Sequence, residues 1–388
     1  MSPTVSLKIL ILSRMNGESL SPGRLAWQRL KKNRSAMFGL LVVAAAMVIA
    51  VFCYTLIPDN SPFSNRMSLP ASMQHPGSKI TFLKVPLKNV EEVGFFNGLI
   101  SGIPSKYKEV AVKEWKLQND SVFYKEFAGD EQEEAADFIA LPLSDFGDKT
   151  AISSADFFKK KFLVDRVFIL GTDRFGRDLF SRLMVGTRVS LSVGLIAVFI
   201  SLVIGITLGA VAGYYRGFID RVIVWFINVI WSIPTLLLVV AITMALGKGF
   251  TQVFIAVGLT MWVEVARLVR GQFFALREQQ FVEAGRALGY EHGRIIIKHI
   301  LPNIIGPVIV IAASNFASAI LLEAGLSFLG MGAQPPMPSW GMMIKENYGY
   351  IVVDSAYLAI WPGVAIALMV LAFTLLGNGL RDAFDIKN

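Results

Sequence analysis

Long charge-free hydrophobic runs recur along the chain. A membrane helix needs roughly 20 mostly apolar residues to cross the bilayer. Five such runs contain no Asp, Glu, Lys or Arg, and they are residues 35–58, 189–213, 222–246, 301–322 and 355–380. A sixth run, residues 249–269, is apolar except for Glu264 and Arg267, which lie three residues apart and share one helix face near the end of that run. The pattern predicts six transmembrane helices.

The composition agrees with a polytopic membrane protein. Charged residues make up only 17% of the chain and hydrophobic residues 54%, whereas a soluble domain carries about a quarter charged residues. The first run is too long for the apolar region of a signal peptide, and no convincing cleavage site follows it, so we expect an uncleaved signal anchor. The predicted fold is all-α, and the composition argues against a soluble globular enzyme.

The positions of the basic residues predict the orientation. A net charge of +8 suits either nucleic-acid binding or the cytoplasmic face of a membrane protein, and the hydrophobic runs favour the membrane. With the N-terminus inside, Lys248 and Lys345 are the only basic residues in the short external loops, as the positive-inside rule requires. Since the number of spans is even, both termini are expected in the cytoplasm. Four arginines before the second span fit poorly and are assigned to a long external segment: Arg174, Arg177, Arg182 and Arg188.

The same pattern predicts the domain organisation. The segments are a cytoplasmic N-terminus (1–34), a first span (35–58), an external insertion (59–168) and a five-helix core (169–388) with a cytoplasmic loop at 271–300. The insertion carries 14 Lys/Arg and 16 Asp/Glu among scattered aromatic residues. That balance favours a small folded α+β domain over a disordered linker.

Few residues suit catalysis or metal binding. The one cysteine, Cys53, cannot form an internal disulfide, and three scattered histidines form no ligand cluster. The sequence has no G-x-x-x-x-G-K-[ST] phosphate loop and no nucleophile–base–acid constellation among the spans. We therefore expect a chain that is not an enzyme and that binds no metal or cofactor of its own.

One motif lies in the long cytoplasmic loop. The chain there reads Glu283-Ala284-Gly285-Arg286-Ala287-Leu288-Gly289, then nine residues, then His299-Ile300-Leu301-Pro302. This resembles the EAA loop of ABC-importer permeases, in which Glu-Ala-Ala, three residues and Gly are followed nine residues later by Ile-x-Leu-Pro. The spacing from Glu283 to Pro302 matches. Gly285 stands where that pattern prefers Ala, and His299 where it prefers Ile.

Further motifs extend the resemblance to the C-type permease subunit of dipeptide and oligopeptide importers. They are residues 170–178 (LGTDRFGRD), 266–271 (ARLVRG) and 323–330 (EAGLSFLG). The resemblance implies a six-span type I permease in the bacterial inner membrane, moving peptides or a related small solute. It also implies a second homologous permease, two ATP-binding subunits that hold ATP and Mg, and an external solute-binding protein, with no nucleic acid. The insertion at 59–168 and the charged Glu264 depart from the family pattern.

The resemblance also implies a role for the loop, in which a short helix fits a groove on a partner ATPase. The expected coupling residues are Glu283, Ala284, Gly285, Ala287, Leu288, Gly289, Leu301 and Pro302. The small residues permit close approach, Gly289 can end the helix in a left-handed conformation, and Pro302 is expected to mark the start of the next span. The alternative interpretation is an ordinary amphipathic surface helix.

Polar residues inside the spans are candidates for a translocation path. They are Asn228, Ser314, Asn315 and Ser318, with Pro234 and Gly306 as points where helices can bend. Hydrogen bonding between neighbouring helices is an equally good interpretation. Glu264 and Arg267 are interpreted as an intramembrane ion pair, while a functional carboxylate stays open.

Two other functions stay open at this point. A proton-coupled secondary transporter could use Glu264 as its proton site, but it leaves the loop motif without a purpose. A non-transporting membrane receptor could sense a ligand through the insertion. Neither alternative requires an ATPase.

Overall fold

The computed structural model describes residues 22–87, 93–118, 120–129, 137–147, 154–247 and 249–385. The described chain opens with two helices, α1 (Pro22–Lys32) and α2 (Arg34–Leu56). Asn33 separates them and caps α2 by accepting the backbone N–H of Ala36 at 3.2 Å. α2 corresponds to the first span predicted from the sequence.

A sheet domain follows α2. Its elements in chain order are β1 (Ser78–Pro86), α3 (Phe95–Ser101), β2 (Tyr107–Gln118), β3 (Ser121–Glu126), β4 (Ile139–Pro142), α4 (Ala155–Phe162) and β5 (Leu163–Phe168). The five strands are antiparallel in the order β4-β3-β2-β1-β5. Phe82 of β1 faces Ala111 of β2 on one side and Val164 of β5 on the other.

The sheet domain has a hydrophobic core of its own. Alternate residues of β3, Val122 and Tyr124, are buried, as expected for a strand with one covered face. Phe158 and Phe162 of α4 pack on that face together with Phe146, with ring centroids 5.1 Å apart for each pair. The predicted α+β insertion is confirmed.

The membrane part contains the remaining helices. They are α5 (Leu179–Tyr215), α6 (Gly217–Trp231), α7 (Thr235–Leu246), α8 (Phe250–Leu276), α9 (Gln280–Ala287), α10 (His292–Phe328), α11 (Trp340–Asn347) and α12 (Tyr357–Phe384). Within the described residues, five helices are long and apolar enough to cross a membrane, and the pair α6 and α7 brings the number to six. The predicted number of spans is confirmed on this count.

The predicted third span is not one straight helix. α6 and α7 meet at 91° across the break at residues 232–234. Pro234 has no backbone N–H to continue the hydrogen-bonding of α6, and it stands immediately before α7. The hydrophobic run at 222–246 predicted the end of this segment at Leu246 correctly, but α6 begins earlier, at Gly217. The run also missed the bend, because hydropathy is insensitive to a change of helix direction.

The predicted start of the fifth span is also corrected. Helical structure begins at His292, nine residues before the hydrophobic run at 301–322. A wide π turn at Ile295–Ile300 and a tight 3₁₀ turn at Leu301–Ile304 surround Pro302. These local adjustments accommodate the missing N–H of Pro302, so the proline lies inside a continuous helical segment.

Glycines set the contact between α5 and α8. Gly205, Gly209 and Gly213 recur every four residues and form one face of α5. A methyl group on Gly209 would lie 2.6 Å from the carbonyl oxygen of Ala266, and one on Gly205 would lie 2.5 Å from Cβ of Val265. Only glycine permits this separation between the two helices.

The centre of the bundle is formed by α2, α5, α10 and α12. Phe316 of α10 and Phe373 of α12 stack with their ring centroids 4.1 Å apart. Gly194 of α5 gives Phe316 room, since a methyl group there would lie 2.5 Å from the ring. In the bundle, α10 therefore packs against both α5 and α12.

Candidate functional site

The short helix α9 has one buried and one exposed face. Val282 and Gly285, three residues apart, are buried against the apolar cluster that contains Phe273 of α8 and Ile295 of α10. The remaining residues of the predicted coupling set on α9 point away from this cluster and are exposed: Glu283, Ala284 and Ala287. We call this exposed side, together with Phe281 and Leu288, the outer face of α9.

The outer face is unusually apolar for a solvent-facing helix. Leu288 is 70% exposed and Phe281 39% exposed. Ile297, in the adjoining turn, is 62% exposed. Exposed apolar side chains beside small residues form a surface suited to a protein partner, because burying them removes apolar area from water.

A glycine ends α9 in the way the sequence predicts. Gly289 has φ of +74°, its N–H donates to the carbonyl of Arg286 at 2.9 Å, and the N–H of Tyr290 donates to the carbonyl of Gly285 at 3.0 Å. This pair of bonds is a Schellman cap, which needs a left-handed residue after the helix. The predicted conformation of Gly289 is confirmed, and its coupling role stays a prediction.

The departure at Gly285 has no steric cause. A methyl group there would lie 3.4 Å from Cδ2 of Tyr290 and 3.9 Å from Cγ1 of Ile295, which are ordinary contacts. Alanine therefore fits at this position, as the family pattern prefers.

Polar contacts attach the α9 region to the ends of three long helices. The hydroxyl of Tyr214 in α5 lies 2.8 Å from Nδ1 of His292 at the start of α10. Arg277, directly after α8, donates to the carbonyl of Tyr214 at 2.5 Å. Leu301 is half-buried and Pro302 exposed in the same region of α10. These contacts join α5, α10 and the residue after α8 at the end of the bundle where α9 packs.

A second feature lies where α6 and α7 bend. A cavity of about 300 Å³ opens between this bend, α8 and α10. Its polar lining consists of Thr235, Thr260, Glu264 and Ser318, and the rest is apolar or aromatic, including Trp231. The structure therefore brings together Ser318, predicted as part of a path, and Glu264, predicted as part of an ion pair.

The other candidates for a path lie elsewhere. Asn228 and Ser314 are exposed but do not line this cavity. Asn315 is 1% exposed and faces the interior of the bundle, where its Nδ2 has no hydrogen-bond partner among the described atoms. The four residues do not form one surface in this conformation.

The predicted ion pair between Glu264 and Arg267 is wrong for this structure. No salt bridge within 4.0 Å joins the two side chains, both of which are described. The guanidinium of Arg267 lies 3.7 Å from the ring centroid of Trp231 instead. Glu264 also lies near the middle of α8 and not near its end, because α8 continues to Leu276.

Comparisons with known proteins place these features in a family. The family "Binding-protein-dependent transport system inner membrane component" matches residues 205–387, and "N-terminal TM domain of oligopeptide transport permease C" matches residues 21–76. The glutathione transport system permease protein GsiD of Pectobacterium atrosepticum is 43% identical over 218 residues, covering 56% of this chain and 72% of that protein. The chain belongs to the family of inner-membrane permeases of binding-protein-dependent transport systems.

A second relative is similar to the same degree. The dipeptide transport system permease protein DppC of Alkalihalophilus pseudofirmus is 44% identical over 217 residues, covering 56% of this permease and 71% of that protein. An inward-facing structure of the MetNI methionine ABC transporter aligns at 20% identity with a TM-score of 0.43, covering 52% of this permease and 95% of that chain. Neither family match includes residues 77–204, which contain most of the sheet domain.

A buried ionic cluster of the permease was not predicted from the sequence. Arg177 donates to Asp173 at 2.6 Å and to Glu346 of α11 at 2.9 Å, and Arg182 of α5, 2% exposed, lies 3.5 Å from the same Glu346 carboxylate. Next to it, burial raises the pKa of Asp178, which caps α5 through Ser181. The sequence did contain an indication of this cluster, because its arginines did not fit the rule that places basic residues in cytoplasmic loops.

Two of these arginines correct the predicted start of the second span. Arg182 and Arg188 lie inside α5, which begins at Leu179, ten residues before the hydrophobic run at 189–213, and not in a loop before the span. Arg188 donates to the carbonyls of Ala50 and Ile100, both at 2.6 Å, and so joins α5 to α2 and α3. Because each of these arginines has internal partners, the rule for loop charges does not apply to them.

A buried carboxylate is a second feature without an assigned role. Glu323, in the 323–330 motif, is 1% exposed. It accepts hydrogen bonds from Ser327 at 2.7 Å and from Ser190 of α5 at 3.2 Å, and Ser339 before α11 donates to Ser327 at 3.1 Å. Glu323 thus joins α10 to α5 and, through Ser327, to α11.

Proposed function

We propose that this permease moves peptides, or a related small solute, across the bacterial cytoplasmic membrane by alternating access. The relatives named above are permeases for glutathione, which is itself a tripeptide, and for dipeptides. They support a peptide-like substrate. The bend between α6 and α7 and the adjoining cavity supply a part of the path, and a partner completes it, since polar groups at membrane depth must face protein or water.

The proposed complex contains a second homologous permease, two ATP-binding subunits and an external solute-binding protein. ATP and Mg²⁺ bind to the ATP-binding subunits, whose hydrolysis drives the cycle. Both termini of the permease and α9 then lie on the cytoplasmic side, and the sheet domain lies outside, where it contacts the solute-binding protein or the second permease.

The observation that supports this proposal most directly is the arrangement of α9. Its inner face is buried through Val282 and Gly285, and its outer face presents Phe281 and Leu288 to a partner. A helix attached in this way transmits a push on its outer face to the spans that carry it. An ordinary surface helix gains nothing from exposed apolar side chains.

Reversing one charge on the outer face tests the proposal. Glu283→Lys is expressed with the partner subunits, and ATP-driven peptide uptake by membrane vesicles is measured beside ATP hydrolysis. We expect the variant to reach the membrane and uptake to fall about tenfold or more, because a charge in a close interface is worth at least about 1.4 kcal/mol.

The matched control is Asp382→Lys, an exposed acid at the end of α12 outside the outer face of α9. Uptake by this control is expected to stay within about twofold of the parent, as for most exposed substitutions. Normal uptake by an intact Glu283→Lys complex would refute the assignment of α9.

A further inference from the structure

The cavity at the bend between α6 and α7 contains one charged group. Glu264 is the sole ionisable residue among those that line the cavity within the described chain. Thr235, Thr260 and Ser318 add hydroxyl groups, and Trp231 adds an aromatic surface. The site therefore combines a carboxylate with a mainly apolar wall, which is the usual composition of a ligand pocket.

The carboxylate of Glu264 is unpaired. It forms no hydrogen bond and no ion pair with any side chain or backbone group that the structure describes. The nearest cation along the helix is Arg267. Its guanidinium stacks on the ring of Trp231, 3.7 Å from the ring centroid, and not on Glu264. Both residues of the expected pair are thus present, and the pair is not formed.

Glu264 is exposed in the isolated chain, and it lies well inside a helix that is long and apolar enough to span a membrane. It lies twelve residues before the end of α8 at Leu276, which is about 18 Å along the axis at 1.5 Å per residue. An intramembrane carboxylate is costly unless it meets a cation or water-filled space, and such residues mark substrate paths. The cavity supplies the space, and among the described residues no cation lies within 4.0 Å of the carboxylate.

We propose that this cavity is a subsite of the translocation path that takes the cationic group of the transported solute, an ammonium or a guanidinium, with Glu264 as its counter-charge. This inference rests on the proposed function, because it gives part of the peptide a position on its route. About 300 Å³ is at the small end of ligand pockets. The cavity therefore has room for an amino terminus or one basic side chain.

The geometry also assigns a role to Arg267. Its guanidinium rests on Trp231, one of the lining residues, so it adds a positive charge at the rim of the cavity. That charge opposes the field of Glu264 and weakens the hold on a cation, which a transporter must release. Removing Arg267 is expected to increase the preference for cations, and removing Glu264 to abolish it.

A thiol probe tests the electrostatic part without any transport. Cys53, the only cysteine, is replaced by alanine, and Ser318→Cys places a thiol in the cavity of the membrane-embedded complex. A cationic and an anionic methanethiosulfonate reagent are compared by their reaction rates. We expect the cationic reagent to be favoured, Glu264→Gln to lower the rate ratio about tenfold, and Arg267→Gln to raise it.

Ser314→Cys is the matched control, since Ser314 is exposed on the same helix one turn earlier and does not line the cavity. The ratio of cationic to anionic reaction rates at this control position is expected to be the same in the parent and in Glu264→Gln. Two results would overturn the proposal. In one, Glu264→Gln leaves the ratio of cationic to anionic reaction rates at position 318 unchanged. In the other, it changes the ratio equally at positions 318 and 314.

A transport measurement then tests the substrate class. Uptake of a dipeptide with a free amino group is compared with uptake of its N-acetylated form. Glu264→Gln is expected to raise KM about tenfold for the free amine and to change it less than twofold for the acetylated form, while Glu264→Asp keeps most of the difference. Equal losses for both peptides would assign Glu264 a merely structural role.

The two tests separate the inference from the proposed function. If the parent complex imports neither peptide and the thiol probe still shows the charge preference, the proposed substrate is wrong and the cation subsite stands. If the parent imports both peptides and Glu264→Gln changes neither uptake nor labelling, the proposed function stands and the cation subsite is wrong.

Discussion

The two ends of the bundle are held together by different physical means. At the end beside the sheet domain, buried charges join distant parts of the chain, as in the cluster of Asp173, Arg177, Arg182 and Glu346. At the end that carries α9, an apolar cluster around Phe273 and Ile295 anchors the helix, and most charges there are exposed.

This difference predicts different mechanical behaviour. A buried ion pair needs one geometry, because a displaced partner leaves an uncompensated charge in a low dielectric. Apolar contacts have no preferred direction and tolerate sliding. We therefore expect the end beside the sheet domain to keep its internal geometry while α9 and the attached helix ends shift.

The largest expected effect comes from breaking the ionic cluster. Arg177→Met leaves Asp173 and Glu346 with only Arg182 nearby, and we expect the loss of stability to be about 3 to 5 kcal/mol. Thermal unfolding in detergent measures it. Arg174→Met is the control, because Arg174 is an exposed arginine in the same motif and should lie within about 0.5 kcal/mol of the parent. Equal melting of both variants would mean that the cluster does not hold this end together.

The glycine contact gives the next largest effect. Gly209→Ala places a methyl group 2.6 Å from a backbone carbonyl of α8, so α5 and α8 must separate, at a cost of about 2 to 3 kcal/mol. Gly271→Ala is the same substitution on α8 at a site with no atom within 4 Å, and it should stabilise the helix by up to about 1 kcal/mol. The paired melting temperatures should move in opposite directions, and a shared direction would contradict the packing account.

Two substitutions on α9 separate anchoring from docking. Val282→Ala removes buried methyl groups and is expected to lower stability by about 2 kcal/mol, with loss of uptake as a consequence. Leu288→Ala, at a 70% exposed position, should leave stability within about 0.5 kcal/mol and still lower uptake in the assembled complex. Uptake that follows stability in both variants would deny the outer face any role of its own.

The smallest effects concern the glycines of α9. Gly285→Ala fits without a clash and should stabilise α9 by up to about 1 kcal/mol. Gly289→Ala has space too, but φ of +74° is unfavourable for alanine and should cost about 1 kcal/mol. Protease protection of the loop in membranes ranks the two variants and the parent, and the reverse ranking would rule out the capping account.

Local signals in the sequence predicted most of the architecture. Hydrophobic runs located every span, and the charge balance of residues 59–168 indicated the separate sheet domain. The position of Gly289 at the end of the loop motif predicted its left-handed conformation. These features depend on neighbours in the chain, which is why periodicity and composition detect them.

The features that the sequence did not reveal depend on contacts between distant residues. Arg177 donates a hydrogen bond to Glu346, which is 169 positions away in the sequence, and Ser190 donates one to Glu323, which is 133 positions away. Glu264 and Arg267 share a helix face, which suggested a pair, but Trp231 from α6 offers the guanidinium a competing surface. No local pattern contains that information.

Photocrosslinking tests most directly the proposed docking of a partner ATPase on the outer face of α9. A photoreactive residue is placed at Leu288 and, in a separate variant, at the buried Val282, and each complex is irradiated in membranes with its ATP-binding subunits. Docking on the outer face predicts a covalent product with an ATP-binding subunit from position 288 and none from position 282. No product from position 288 in an assembled, transporting complex, or equal products from both positions, would contradict it.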